Sequence, residues 1–263
     1  MTASEGPRRT AKEQFDRQAV HYNAQWNQWT EESLAWLLDH SECRATDAVL
    51  DVATGTGFTA LAFAPHVGSV IGLDVSIGML EQARKRAEEQ GLANARFTEG
   101  AAEAIPFPDE SFDVVTCRIA PHHFLSVPTF LAEARRVLKP DGRLLIADTS
   151  ASDDPAAEVW QNRIEVLRDP SHVRNYTREE WRQMVTEAGF TLELLEDASG
   201  RIPITLKDWL IKAGCTPEQT AAVRHRFETA PKSAHEIFRI QSLPDGDIGF
   251  AWLRVVLKAV KGA

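Results

Sequence analysis

Cysteine is scarce in this chain: Cys43, Cys117 and Cys215 are the only three among 263 residues. An odd number at wide spacing excludes a disulfide framework and offers no paired metal-ligand motif. Reduced thiols of a cytoplasmic protein are therefore the expectation. Long apolar runs are also missing, so no segment has the length needed to cross a bilayer. The first fifteen positions mix Glu5, Arg8, Arg9, Lys12 and Glu13 without an apolar core, and no signal peptide is expected there. Basic residues are outnumbered, 29 Lys and Arg against 38 Asp and Glu, for a net charge of -9. That negative field disfavours a nucleic-acid partner, whose affinity rests on basic side chains displacing counterions. Internal repeats and low-complexity tracts are absent as well.

What is present is an ordinary globular balance, 43% hydrophobic and 25% charged, in a length that fits one large domain with an appended lid. Residues 12–38 carry helical signals, with Phe15, Ala19 and Tyr22 on one face and Trp26 and Trp29 three apart. Segments 48–52, 69–73, 95–99, 113–117 and 143–147 read as short apolar strands. Segments 58–64, 78–90 and 127–138 between them carry apolar residues at helical intervals. Strands separated by helices of this length imply right-handed crossovers and a mainly parallel sheet covered on both faces. Ser126 is placed to cap one helix, and Thr177 with Glu180 forms a capping box for another that Gly189 ends. The spacing predicts further strands at 190–195 and 250–257, and mostly helix from 201 to 240. The expected division is an N-terminal helical cap (1–44), an α/β core (45–200 and 241–263) and an inserted helical lid (201–240).

The most informative stretch is Val49-Leu50-Asp51-Val52-Ala53-Thr54-Gly55-Thr56-Gly57, a strand running into a glycine-rich turn. In an open parallel sheet the ligand crevice lies beyond the carboxyl ends of the strands, where their order reverses. Glycine there permits strained dihedrals and close approach of a ligand to the backbone. The next strand ends at Asp74, 19 positions after Gly55, the spacing at which a carboxylate accepts hydrogen bonds from ribose hydroxyls. The alternative is a plain tight turn with Asp74 capping the following helix. Gly55, Gly57 and Ala60 also satisfy the dinucleotide pattern G-x-G-x-x-G/A, so a nicotinamide oxidoreductase stays open on the residues alone.

The same stretch, with its acidic residue before the glycines, resembles the first motif of class I S-adenosylmethionine-dependent methyltransferases. Segment 130–144, FLAEARRVLKPDGRL, and segment 100–115, GAAEAIPFPDESFDVV, resemble hallmarks of the branch that holds the ubiquinone and menaquinone biosynthesis C-methyltransferases. The resemblance implies a Rossmann-like α/β fold with a seven-stranded sheet, mainly parallel, its last strand antiparallel, plus a helical lid. It implies S-adenosyl-L-methionine as cofactor and a small-molecule acceptor. By the same resemblance Ala53, Thr54, Gly55 and Gly57 contact the methionine and ribose part, and Asp51 supports the loop or the amino group. Asp74 binds the ribose diol, while Val75 and Met79 pack near adenine. The family usually has an acidic residue directly after Gly100, where this chain has Ala101, which leaves Ala102 and Glu103 to take the adenine contact.

A sulfonium methyl is already electrophilic, so the protein mainly has to place an acceptor in line with it. Arg118, His122 and His123 follow the fourth strand and reach the same crevice. His exchanges protons near neutral pH, and Arg holds a phenolate, enolate or carboxylate. These three are the candidate catalytic residues for methylation of a carbon or oxygen on an aromatic or enolic acceptor, with Arg118 also near the cofactor. The segment resembles an Arg-x-x-x-His-His-Phe signature of the same branch. Against this stands a reading of the histidines as loop caps. His172 to Tyr176 form a second polar cluster, either a cover over the acceptor or a solvated connector. The aromatic residues Trp160, Trp209, Phe227 and Phe238 fit an apolar acceptor pocket or a core of their own. No metal site is expected, and a non-catalytic cofactor-binding protein is the remaining alternative.

Overall fold

The computed structural model describes residues 10–18, 27–197 and 203–262; Ala19, Tyr22, Trp26 and the side chain of Trp29 lie outside what it describes. Helices α1 (Ala11–Gln18) and α2 (Asn27–His40) precede β1 (Ala48–Val52). Then α3 (Phe58–Phe63), β2 (Ser69–Asp74), α4 (Ile77–Glu89), β3 (Ala95–Glu99) and β4 (Phe112–Arg118) alternate. After α5 (Val127–Val137) and β5 (Leu138–Ser150) come α6 (Pro155–Arg168), α7 (Arg178–Glu187) and β6 (Phe190–Asp197). The last part holds β7 (Ile204–Thr205), α8 (Leu206–Ala213), α9 (Pro217–Glu228), α10 (Lys232–Ile237), β8 (Gln241–Ser242), β9 (Ile248–Phe250) and β10 (Leu253–Lys261).

The capping chemistry explains the helix starts. Ser126 Oγ accepts from Thr129 N, Asp154 caps α6 above Pro155, and the Thr177–Glu180 box closes on α7 with both reciprocal bonds. Ser76, rather than Asp74, caps α4 by accepting from Met79 N. The Asp74 carboxylate is thereby left to the turn before it.

The seven-stranded sheet has the order β3-β2-β1-β4-β5-β10-β6. Strands β1 to β5 run parallel, and β10 is antiparallel to both neighbours, β5 and β6. Successive residues of β1 serve opposite faces. Leu50 and Val52 pack with Phe130, Leu131 and Trp181 of α5 and α7, while Val49 packs with Leu37, Phe63 and Leu80 of α2 to α4. The chain winds outward from β1 through β2 to β3 and then returns to lay β4 against the other edge of β1. The strand order therefore reverses between β1 and β4, which puts the ligand crevice at the carboxyl ends of those two strands.

One expectation needs correction, and one open choice is decided. The final strand starts at Leu253 and runs to Lys261, because Ile248 to Phe250 pair with β7 and β8 in a separate three-stranded sheet. The aromatic residues of the C-terminal helices build a core of their own. Trp160, Trp209, Phe227, Phe238, Phe250 and Trp252 form one buried cluster with ring centroids 4.8–6.3 Å apart. None of the six lines the crevice. Edge-to-face packing of this kind satisfies aromatic rings without a ligand.

Candidate active site

The two glycines of the turn do different work. Gly55 has φ +54° with nothing within 4 Å of where a Cβ would stand, and it lines the crevice. Gly57 has φ +85°, and a Cβ there would meet Ala83 Cβ at 3.0 Å and the Phe97 ring at 3.2 Å, so its missing side chain lets the turn pack on α4 and β3. Ala53 after β1 and Ile119 after β4 both adopt positive φ, 54° and 53°. For a β-branched residue such as Ile119 that is a costly conformation, held by the bond from its N–H to Ala147 O at 2.7 Å.

Carboxylates support the turn from behind and from the side. Asp51 is 1% exposed and accepts from the hydroxyls of Thr54 at 2.6 Å and Thr116 at 2.8 Å. Burial lifts its pKa to about 6 against the pull of those bonds. It braces the loop and does not line the cavity. Asp74 does line it, accepting from Gly55 N at 2.8 Å and Ser76 N at 2.9 Å, with burial pushing its carboxyl up. Each oxygen keeps a lone pair for a further donor.

The cavity, about 490 Å³, follows the strand order. Ala101, Ala102 and Glu103 line it beyond β3. Asp74, Val75 and Met79 line it beyond β2, and Ala53, Thr54 and Gly55 beyond β1. Arg118 and His123 line it beyond β4. Glu103 also accepts from Leu125 N at 2.9 Å, tying the loop after β3 to the loop after β4. Arg118 Nε donates to Thr59 Oγ1 at 2.9 Å. His122 is not a lining residue. Its Nδ1 sits 2.6 Å from Asp148 Oδ1 and its N–H donates to the other carboxylate oxygen at 3.0 Å. Burial works against a charged His122 ring, but the Asp148 charge and hydrogen bond outweigh it and raise its pKa.

Thr10, Ala11, Lys12, Pro170 and Ser171 line the cavity without having carried a functional signal in the sequence. Thr10 and, from the first helix, Ala11, Lys12 and Phe15 close one side. That helix is pinned over the crevice by Lys12 to Glu99 at 2.6 Å and Ser76 Oγ to Asp16 at 2.5 Å. Pro170, Ser171, His172 and Val173 close the other side. The solvated-connector reading of 172–176 fails, because His172 is 4% exposed and Asn175 fully buried. Val173 and Arg174 donate to His122 O at 2.9 and 3.2 Å, and Ala151 donates to Tyr176 O at 2.9 Å. The segment is strapped to the loop after β4 and to the end of β5. In the sequence His172 to Tyr176 are legible as a cover over the acceptor, whereas Asp169-Pro170-Ser171 reads only as a helix breaker.

No ligand is needed to see what kind of group the cofactor end accepts. It offers a buried carboxylate with spare lone pairs, open space over Gly55, and Thr56 Oγ1, a buried hydroxyl in the cavity wall with no partner among the described residues. A ribose diol with a zwitterionic tail suits that donor and acceptor set.

Comparison with known proteins decides among nucleoside cofactors. Residues 49–142 match the family described as "Methyltransferase domain". The uncharacterised methyltransferase YcgJ of Bacillus subtilis is 37% identical over 231 residues, 88% of this chain and 90% of its own length. The chain belongs to the class I S-adenosylmethionine-dependent methyltransferases. The crystal structure of YcgJ superposes with a TM-score of 0.83 at 36% identity, covering 89% of this chain and 99% of that one. A demethylmenaquinone methyltransferase of Symbiobacterium thermophilum is 38% identical over 151 residues, 53% of this chain and 59% of its length. S-adenosylmethionine is thus the cofactor of this methyltransferase, and the nicotinamide reading of Gly55 to Ala60 is overturned. Both folds share the glycine turn, but an all-parallel dinucleotide sheet lacks the antiparallel β10 that this methyltransferase inserts between β5 and β6. Among the described residues no three His, Cys, Asp or Glu side chains are grouped to hold a metal ion, and no helix is long and apolar enough to cross a membrane.

Proposed function

We propose that this enzyme methylates a carbon or oxygen of a small aromatic or enolic acceptor, bound at the β4 end of the crevice. The observation that carries the proposal is the division of one continuous cavity along the strand order. Carboxylate and glycine backbone line it beyond β1 and β2, and Arg118, His123 and His172 line it beyond β4 and under the 170–173 strap. In this reading Asp74 holds the ribose diol, Gly55 and Thr56 face the ribose and methionine part, and Val75, Met79 and Ala101 to Glu103 surround adenine. The cofactor supplies an electrophilic methyl group. Arg118 orients the acceptor's oxygen, and the 170–173 strap with the first helix keeps water away from it. His122, paired with Asp148, acts through the loop it fixes. Likeness over half its length to a demethylmenaquinone methyltransferase supports an enolic or phenolic acceptor.

The test is turnover with methyl-labelled cofactor against a panel of phenols, enols, amines and carboxylic acids. Transfer to phenols or enols, with Arg118→Gln lowering kcat while the affinity for S-adenosylhomocysteine stays unchanged, is the expected outcome. Transfer confined to amines or carboxylic acids contradicts it.

A further inference from the structure

The hydrogen-bond chain behind the acceptor end fixes where the proton sits on His123. Asp169 Oδ1 accepts from Ser171 N–H at 2.9 Å, so this oxygen is an acceptor. Ser171 Oγ lies 2.7 Å from the same oxygen and must therefore donate its single proton to it. His123 Nδ1 lies 3.1 Å from that hydroxyl. With its proton committed, the hydroxyl can only accept, so Nδ1 of His123 carries the hydrogen and Nε2 carries the lone pair. The hydrogen bond of the His123 ring is at Nδ1, none is formed at Nε2 among the described residues, and His123 lines the cavity.

The neighbouring ring is fixed in the same way. Asn162 Oδ1 accepts from Asn175 N at 2.7 Å, which identifies it as the amide oxygen, so His172 Nε2, 3.4 Å away, is the donor. The lone pair of His172 is then on Nδ1. Two imidazoles that line one cavity wall are thus both short of a donor.

The charge state agrees with the geometry. Burial, reinforced by the His122 ring at a centroid distance of 4.3 Å, lowers the His123 pKa to about 3. His172 is pushed well below its ordinary value by burial and by His122 and His123. The groups around His123 are His122 from its own loop, Arg168 and Asp169 from the end of α6, Ser171 and His172 from the strap, and Phe15 of α1, edge-on at 5.0 Å. A ring this resistant to protonation is a poor general base at neutral pH, and being neutral it keeps one acceptor nitrogen.

We propose that the Asp169–Ser171 chain holds His123 as the neutral Nδ1–H tautomer, and that its Nε2 accepts a hydrogen bond from an uncharged hydroxyl of the methyl acceptor, selecting hydroxylated acceptors over carboxylates and phosphate esters. Asp169 and Ser171 are then positioning residues. An anionic oxygen in the same place would set its lone pairs against that of Nε2 with no proton between them. The selectivity rests on the proposed acceptor site, whereas the tautomer stands independently of it.

Heteronuclear NMR of the full chain carrying isotope-labelled histidine reads both parts. At neutral pH the ring signal that disappears in His123→Gln is expected to show a protonated Nδ1 and an unprotonated Nε2. Ser171→Ala should let the proton redistribute between the nitrogens, and Ser171→Thr, which keeps the hydroxyl, should restore the single tautomer. A proton on Nε2, a doubly protonated ring, or a spectrum unchanged by Ser171→Ala overturns the relay. With S-adenosylhomocysteine bound, phenol should shift the Nε2 resonance while anisole and benzoate leave it in place. Equal shifts from all three, or none from phenol, overturn the selectivity. Failure to bind S-adenosylhomocysteine at all would strike the cofactor assignment and leave the tautomer result readable.

Discussion

The proposed cofactor end and the proposed acceptor end of this cavity are built on opposite plans. The cofactor end is local and relies on backbone: a strand, two glycines and, 19 positions after Gly55, one carboxylate that accepts from main-chain N–H groups. The acceptor end is assembled from three distant segments, the loop after β4, the end of β5 and the 162–175 region, and relies on buried side chains bonded to one another. A backbone site tolerates change in most of its side chains and fails at a few positions. A side-chain network distributes its function and depends on every partner being present.

The largest effect that would break this comparison is at Asp74. Asp74→Ala removes the acceptor of two buried N–H groups as well as the proposed ribose contact. Hydrogen bonds to a charged group contribute about 1.5–3 kcal/mol, so titration calorimetry should find S-adenosylhomocysteine bound at least about tenfold more weakly. His123→Gln should leave that affinity unchanged, since the acceptor end holds no proposed cofactor group.

Next in size is the contrast between the glycines. Gly57→Ala combines a left-handed φ with a 3.0 Å contact on Ala83 Cβ, and a loss of about 1–3 kcal/mol in denaturant unfolding is expected. Gly55→Ala meets no atom within 4 Å. It should cost about 1 kcal/mol of stability through φ alone but intrude on the space over the turn and weaken cofactor binding.

A smaller effect sharpens the acceptor side. Below the ordinary histidine value of 6.5 the unfolded chain takes up a proton at His123 that the folded protein refuses until about pH 3. A depressed folded-state pKa contributes stability that is present above 6.5 and lost as pH falls through that window. His172 acts in the same direction, and His122, whose pKa is raised, acts in the opposite one. Thermal unfolding of His123→Gln should accordingly lose less stability between pH 6.5 and 4 than the parent. An identical acid limb in the two proteins would contradict a neutral, buried His123.

How much of this was legible in the sequence follows from the same contrast. The sheet, its crevice and the Gly55 to Asp74 pairing depend on apolar periodicity and turn chemistry, which are local, and they are readable in the sequence. Arg118 and His123 were found because they follow a recognisable strand. Asp148, Asp169 and Ser171 were not, since an acidic residue at a strand end or a helix terminus, or a serine after a proline, reads as a cap or a breaker. Only the fold brings Asp148 to His122 and Ser171 to His123, 26 and 48 positions apart. Trp160 and Phe227 stayed open between a pocket wall and a core, because an aromatic residue at helical spacing looks the same whether it meets a ligand or another ring. The boundary near residue 250 was obscured by two consecutive apolar runs, Ile248–Phe250 and Leu253–Lys261, that belong to different sheets.

The most direct test of the account is a crystal structure of the enzyme with S-adenosylhomocysteine bound. The ribose hydroxyls should lie on the Asp74 carboxylate, with the sulfur turned toward the part of the cavity lined by Arg118, His123 and His172. Adenosine seated under the 170–173 strap, with Asp74 free of the ribose, would contradict it.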